Sequence, residues 1–239
     1  MANPYNPNEK NKKEQVSNMF NAIAHRYDFL NHVLSVGIDR LWRRRAVNNL
    51  KKYNPHNILD IATGTGDFAI ASLRLKPEKI TGVDISVGML QYGNEKIAKK
   101  GLSHIIKLKQ GDSENLQFKT ESFDAITVGF GVRNFENLEK GLSEMLRVLK
   151  LGGVVAILEF SKPTALPIKQ LYWFYFKHIL PTIGKLFSKD HRAYTYLPES
   201  VEEFPYGKEF ESILIKVGFQ NTKIIPVSFG IATIYIAEK

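Results

Sequence analysis

No cysteine occurs in the 239 residues of the chain. Disulfides, thiolate metal sites and cysteine nucleophiles are therefore excluded by inventory alone. Long apolar runs are missing too. The richest stretch, Leu166 to Phe187, is interrupted by Lys169, Lys177, Lys185 and Pro181. No segment supplies the roughly 20 mainly apolar residues that a membrane-spanning helix needs. The opening MANPYNPNEKNKKE has no apolar core and does not read as a signal peptide. Polar and carrying two prolines, it reads as a flexible tail over residues 1–15. Internal repeats and low-complexity segments are also absent. The expectation is a cytoplasmic protein whose nearest approach to lipid is contact with the inner face of a membrane.

Hydrophobic residues make up 44% of the chain, which fits a globular protein with a full core rather than a disordered one. The net charge of +9 makes polyanions, anionic lipid surfaces and acidic substrates candidate partners, beside the plainer reading of a basic, solvated surface.

Apolar residues at three- and four-residue steps, Val16, Met19, Phe20, Ile23, Tyr27 and Leu30, predict a helix over 12–30. After a break at Ser35-Val36-Gly37, a second helix starts near Asp39. Leu41, Trp42, Ala46, Val47 and Leu50 are expected on one side, and Arg43, Arg44, Arg45, Lys51 and Lys52 largely on the other. That basic run reads as a solvated face or a contact for anionic headgroups. From Asn57 the pattern alternates: strands at 58–62, 79–85, 105–110, 123–130 and 154–160, helices at 67–75, 86–100 and 138–149, with Leu151-Gly152-Gly153 as the stop of the last helix. Such alternation predicts an α/β fold with a mostly parallel, doubly wound sheet. An aromatic-rich helical segment at 166–187, a loop over HRAYTYLPESVEEFP and a helix near 207–217 follow. Two strands close the chain, at 221–227 and 231–237. Their link, Ser228-Phe229-Gly230, is short enough only for an antiparallel hairpin.

Gly64-Thr65-Gly66-Asp67-Phe68-Ala69 fits G-x-G-x-x-G/A, a weak signal on its own. Asp67 opens the following helix. A carboxylate there suits the helix dipole but repels a pyrophosphate. A ligand with a positive centre and no phosphate fits better, and S-adenosylmethionine is such a ligand. Asp84 ends the second strand, 18 positions after Gly66, where an acid can accept from both ribose hydroxyls. Asp112, beside Ser113, ends the third strand, where a carboxylate can meet the adenine amine. Asp60, Thr63, Gly64, Thr65 and Gly66 complete the candidate cofactor loop, although the apolar neighbours of Asp60 leave open that it orients the loop rather than touching the ligand.

With these residues in view, the core resembles a Rossmann-like class I S-adenosylmethionine-dependent methyltransferase. More narrowly, the chain resembles the family of C-methyltransferases that finish menaquinone and ubiquinone. The resemblance runs from about residue 16 to the end. It is carried by MFNAIAHRYDFLNHVLSVGIDRLWRR, LDIATGTGD, QGDSENLQF, SFDAITVGFGVRNFENLEKGLSEMLRVLKLGGVVAILEFSKP, YTYLPESVEEFP and GFQNTKIIPVSFGIATIYIAEK. It implies one domain over 1–239, with a seven-stranded sheet and an N-terminal helical arm over 16–53. The cofactor core spans 54–160, a helical substrate insertion 161–205, and the last helix and hairpin 206–239. It places cofactor contacts at Thr65, Asp84, Asp112 and Ser113. A fourth-strand position that is often serine in the family is Gly129 here, which leaves only a backbone contact.

The reaction implied is methyl transfer from S-adenosylmethionine to a ring carbon of demethylmenaquinol. It needs in-line positioning, stabilisation of a developing phenolate and a proton acceptor, and no metal or covalent nucleophile. Arg133 and Asn134, just past the fourth strand, and Tyr27, with Asp28, on the arm are the candidate catalytic residues. The competing readings are a salt bridge from Arg133 to Glu136 or Glu159, a helix cap for Asn134 and core packing for Tyr27. His25 and His191 are weaker candidates for a base. Tyr172, Trp173, Phe174, Tyr175 and Phe176 could line a polyprenyl tail, rest at a lipid interface or simply form core. The partners expected are the polyprenyl quinol and, peripherally, a membrane surface, with homo-oligomerisation left open. The nearest rival is the same chemistry on a polyprenyl methoxy-benzoquinol. RNA methylation and a non-catalytic cofactor-binding scaffold stand further off. The fourth strand continues as GFGVRN rather than the Asp/Asn-Pro-Pro-aromatic turn of base-amine methylation, so nucleic acid is not expected.

Overall fold

The structure, a computed structural model, describes residues 3–5, 11–27, 37–175 and 192–239. The expectations for Asp28, Leu30, the Ser35-Val36 break, Phe176 to Phe187 and His191 lie outside the described residues. The sheet has seven strands: β1 (Asn57–Ile61), β2 (Lys79–Asp84), β3 (Ile106–Gln110), β4 (Phe123–Gly129), β5 (Leu149–Phe160), β6 (Gln220–Val227) and β7 (Ala232–Glu238). Their order is β3-β2-β1-β4-β5-β7-β6. The first five run parallel, while β7 pairs antiparallel with both β5 and β6. This is the expected mostly parallel, doubly wound sheet with its closing antiparallel hairpin.

The continuous apolar runs of β1, β4 and β5 reflect burial on both faces. Successive side chains alternate between them. Leu59, Ile61, Ile126, Val128, Val155 and Ile157 pack under α5 (Leu138–Val148) and α8 (Lys208–Val217). Ile58, Ala125, Val154, Ala156 and Leu158 pack under α2 (Ile38–Leu50) and α3 (Asp67–Ser72). The N-terminal arm therefore has two roles. Its second helix, α2, is a structural layer of the sheet. Its first, α1 (Lys12–Ile23), lies across the ends of the strands.

Several local expectations change. The 12–30 helix gives way at Ala24–Arg26 to a tighter turn, with Tyr27 beyond it. Within the stretch expected as a tail, Asn11 caps α1, Lys12 and Gln15 are buried, and Gln15 accepts from the Tyr5 amide at 2.8 Å. On α2, Leu41 is exposed and Arg43 buried, the reverse of the expected faces. Arg43 pairs with Asp39 one turn back and lies 5.9 Å over the Phe130 ring, so its charge is matched where it is buried. Gly152-Gly153 does not stop a helix. Leu149 is already extended and opens β5, and Gly152, at φ +73°, sits where the β4–β5 register shifts. The aromatic segment opens as helix α6 (Ile168–Phe174), and the loop expected over 191–205 is mostly helix α7 (Arg192–Glu203), despite Pro198 within it. Burial of Tyr196, Ser200, Val201 and Phe204 on one side outweighs the proline.

One glycine sets how closely α4 (Val87–Lys99) approaches the strand-end loops. A Cβ on Gly93 would lie 2.6 Å from Leu108 Cδ1 and 3.1 Å from the Thr65 backbone carbonyl carbon. Gly93→Ala gains about 1 kcal/mol of helix propensity but costs about 1–3 kcal/mol in overpacking. The variant is expected to be less stable than wild type, as measured by the urea unfolding midpoint. A midpoint equal to or above wild type would show that α4 is free to move outward.

Candidate active site

The chain order reverses between β1 and β4, and a cleft of ~640 Å³, open mouth included, lies there at the carboxyl ends of the strands. That is the usual position and size of a ligand site in such sheets. Its floor is built by short links. Ala62 and Phe130, just past β1 and β4, both hold positive φ, at +51° and +58°. Gly131 fits beneath them only because it lacks a side chain, since a Cβ there would be 2.6 Å from that of Ala62.

Asp60 is completely buried. It accepts from Thr63 Oγ1 at 2.5 Å, the Ala69 amide at 3.1 Å and Thr127 Oγ1 at 2.7 Å. Burial raises its pKa to about 6, against the pull of those donors. Asp60 and Thr63 thus shape the loop and face away from the cleft. Thr65 is also buried and accepts from Lys96 Nζ at 3.0 Å, and Gly66, at φ +83°, turns the chain into α3. Of the glycine loop, Gly64 reaches the cleft lining.

The loop amides are already engaged. Gly64 N–H donates to Asp84 at 2.8 Å and Gly66 N–H to the Thr63 carbonyl at 2.8 Å. Asp67, ion-paired to Lys96 at 2.8 Å, sits where a phosphate would need a bare helix end. The arrangement fits a phosphate-free, cationic ligand.

Asp84 also accepts from the Ser86 amide at 2.8 Å, and burial holds its carboxyl above the ordinary range. Asp112 faces the same cleft with Ser113. Its two oxygens accept from the Glu114 amide at 2.9 Å and from Lys13 Nζ at 2.7 Å. Gly129 lines the cleft as well, and the Phe68 ring, 2.8 Å from where its Cβ would be, takes the space a side chain there would need.

Helix α1 supplies the opposite wall through Lys13, Val16 and Phe20, with Tyr27 just beyond it. The Tyr27 ring meets Phe20 edge-on at 5.9 Å and lies 4.0 Å from the place of a Cβ on Gly64. Asn21 docks α1 on the start of α4, accepting from the Gly88 amide and Ser86 Oγ, both at 2.8 Å. Lys12 Nζ donates to the Arg133 and Phe135 carbonyls at 3.1 and 3.0 Å. Burial, helped by the Arg133 charge, lowers its pKa to about 8. Lys12, Lys13, Asn21 and Glu114 were not found by sequence reasoning. They stand in polar segments whose contacts exist only once the arm is folded back.

Arg133 and Asn134 part company. Asn134 lines the cleft. Arg133 is buried and bound to Glu159 at 2.8 Å, to the Phe130 carbonyl at 2.5 Å and to Ser200 at 3.3 Å. Glu159 is fully buried, which raises its pKa, and Arg133 opposes that rise. His25 is exposed. Tyr172 is buried, with Trp173 edge-on to it at 5.9 Å, whereas Phe174 is 58% exposed. Among the described residues, no group of three or more His, Asp or Glu is placed to hold a metal ion.

Comparison with known proteins bears on this geometry. The sequence profile of the ubiE/COQ5 methyltransferase family matches residues 8–239. A demethylmenaquinone methyltransferase of Bacteroides fragilis is 52% identical over 237 residues, which is 99% of this chain and 96% of that one. A ubiquinone/menaquinone biosynthesis C-methyltransferase of Geotalea daltonii is 48% identical over 230 residues, 95% of this chain and 97% of that one. Among solved structures, a SAM-dependent methyltransferase of Thermotoga maritima aligns with a TM-score of 0.66 over 93% of this chain and 99% of its own. At 19% identity that likeness is one of fold.

Two predictions follow from the buried carboxylates. The pKa of Asp60 rises from 3.8 to about 6, so the native state binds the extra proton between those values and stability falls as pH rises through them. Asp60→Asn removes this slope. Between pH 4 and 7 wild type should lose on the order of 2–3 kcal/mol relative to the variant, read from urea midpoints, and parallel profiles would contradict it. Arg133→Ala strands Glu159 and is expected to cost about 3–5 kcal/mol. Because Glu159 escapes its charge by protonation, that loss should be greater at pH 8 than at pH 5. A pH-independent loss in thermal melts would show that Glu159 is not the stranded group.

Proposed function

This chain belongs to the ubiE/COQ5 methyltransferase family, and on that footing we propose that it transfers a methyl group from S-adenosylmethionine to a ring carbon of demethylmenaquinol, giving menaquinol. The observation that carries this reading is one cleft lined by two unlike sets of residues. One set is Gly64, Asp84, Asp112 and Ser113, suited to an adenosine with a cationic tail. The other is Tyr27, Phe130 and Asn134, suited to an aromatic ring bearing hydroxyls.

When bound, S-adenosylmethionine supplies a methyl group on a sulfonium. Asp84 accepts from the ribose hydroxyls through lone pairs not used by Gly64 and Ser86, and Asp112 meets the adenine amine beside Lys13. Gly64 lets the backbone come close to the ligand. On the acceptor side, the quinol hydroxyl gives up its proton, and the adjacent ring carbon forms a bond to the methyl as the carbon–sulfur bond breaks. The hydrogen on that carbon then leaves as a proton and the ring oxygen regains one, so one methyl replaces one ring hydrogen, one proton is released to water and no electrons are exchanged with a further reagent. Tyr27 and Asn134, both in the cleft lining, hold the ring and its oxygen. Arg133, committed to Glu159, acts by fixing the turn that carries Asn134. This chemistry requires no metal.

A polyprenyl quinol resides in lipid, so the enzyme works at the cytoplasmic face of a membrane. No helix among the described residues is long and apolar enough to cross one. The aromatic segment from Tyr172 to Tyr175, with Phe174 outermost, is offered to the tail. The second reading, methylation of a polyprenyl methoxy-benzoquinol, has the double name of the Geotalea relative in its favour.

Purified enzyme with S-adenosylmethionine is expected to add one methyl to demethylmenaquinol, seen by mass analysis of the extracted quinone, and to act poorly on the methoxy-benzoquinol. Methylation of the benzoquinol alone would transfer the assignment to the second reading. Failure with every quinol would remove both.

A further inference from the structure

We propose that Tyr196 is a positioning residue that fixes the Asn134 side-chain amide so that it presents an N–H, not its carbonyl, to the acceptor oxygen in the cleft. The inference rests on the quinol reading for the identity of that oxygen, but not for the hydrogen bond itself.

The direction of the amide follows from its two neighbours. Asn134 Nδ2 lies 3.3 Å from the Phe130 carbonyl, and Asn134 Oδ1 lies 3.0 Å from the Tyr196 hydroxyl. A backbone carbonyl can only accept, so the nitrogen of the amide must face Phe130. The reversed amide would set two carbonyl oxygens against each other. Once the nitrogen is so placed, Oδ1 faces Tyr196, and the tyrosine hydroxyl must donate to it. The amide nitrogen carries two hydrogens and Phe130 takes one. The other belongs to a residue that lines the cleft.

Tyr196 is built to keep this orientation. It stands on α7, is 1% exposed and packs against Val16 and Met19 of α1. Burial, with the Glu159 and Glu203 charges adding to it and Arg133 opposing, moves its phenol up to about 12. The hydroxyl therefore stays a donor wherever the enzyme works. The Phe130 carbonyl is itself held by Arg133 at 2.5 Å, so the second anchor of the amide is fixed as well.

The chemical value of this orientation lies in the charge that develops. As the quinol loses its hydroxyl proton, negative charge grows on the oxygen beside the attacking carbon. A preset N–H stabilises that charge, whereas a carbonyl oxygen would repel it. Asn134 is then a donor to the oxyanion and not the proton acceptor. Because Tyr196 sits where α1 meets α7, the donor is aligned only when both helices are docked over the site.

Tyr196→Phe keeps the ring and its packing and removes the hydroxyl alone. Asparagine-selective ¹⁵N labelling reports the Asn134 side-chain amide without any quinol present. The variant is expected to show a displaced, averaged pair of amide signals with an unchanged melting temperature. Its kcat on demethylmenaquinol should fall about tenfold, with KM for S-adenosylmethionine unchanged. Asn134→Asp, which keeps the shape but offers no N–H, should lose on the order of 100-fold in kcat. Amide signals that do not move in Tyr196→Phe would overturn the positioning role. Near-normal turnover by Asn134→Asp would overturn the donor role and mark the residue as an acceptor. Displaced amide signals in a protein that methylates no quinol would uphold the Tyr196–Asn134 bond and remove the substrate reading instead.

Discussion

The burial of the Asp60 carboxylate is the constraint on which the rest of the site depends. One side chain with no exposed surface gathers a threonine from the neighbouring strand, a threonine from the cofactor loop and an amide from the first turn of α3. None of those groups could be buried so cheaply without it, and the carboxylate could not be buried without them. The loop shape that follows brings the Gly64 amide to Asp84 and turns Thr65 toward Lys96. The same arrangement that fixes the loop uses up the amides a pyrophosphate would need. The choice of ligand class is therefore made by internal hydrogen bonds as much as by the groups left facing the cleft.

A second buried network repeats this logic on the Asn134 side of the cleft. Arg133 and Glu159 join the turn after β4 to the end of β5, and Ser200 brings in α7. The pair is dear to bury and strongly directional, which suits the task of holding a short turn at one angle. Lys12 caps the far side of that turn by donating to two of its carbonyls. The Asn134 wall of the cleft is thus held from the sheet, from the insertion and from the arm, three parts of the chain that are far apart in sequence.

Much of this was legible in the sequence. The central strands announce themselves because both faces are covered and their apolar runs are continuous. The three-residue link at Ser228 to Gly230 leaves no choice but a hairpin. Asp84 and Asp112 could be placed because a strand end followed by a turn fixes where a short carboxylate must be. The misreadings have a shared cause: each depended on a contact made by a distant segment. Arg43 reads as solvated until Asp39 and the Phe130 ring are seen to meet it. The segment after His191 reads as a loop because of Pro198, while the helix is held by what Tyr196 and Phe204 bury. Thr63 and Thr65, read as ligand contacts, and Asp60, read as a contact or a support of the loop, all stand behind the cleft and outside its lining. Arg133 and Asn134 are adjacent in sequence, and only the structure separates the one turned toward Glu159 from the one lining the cleft.

The packing of Phe68 against Gly129 constrains how this chain could change over time. A serine at position 129 would need the space that the Phe68 ring now fills, with its Cβ 2.8 Å from the ring edge. Phe68 is itself buried between α3 and the sheet, and a smaller residue there would leave a void until something replaced it. The two sites therefore cannot drift independently. Any side chain added at 129 must be matched by a shift or a change of the ring at 68, a coupling set by a single van der Waals contact.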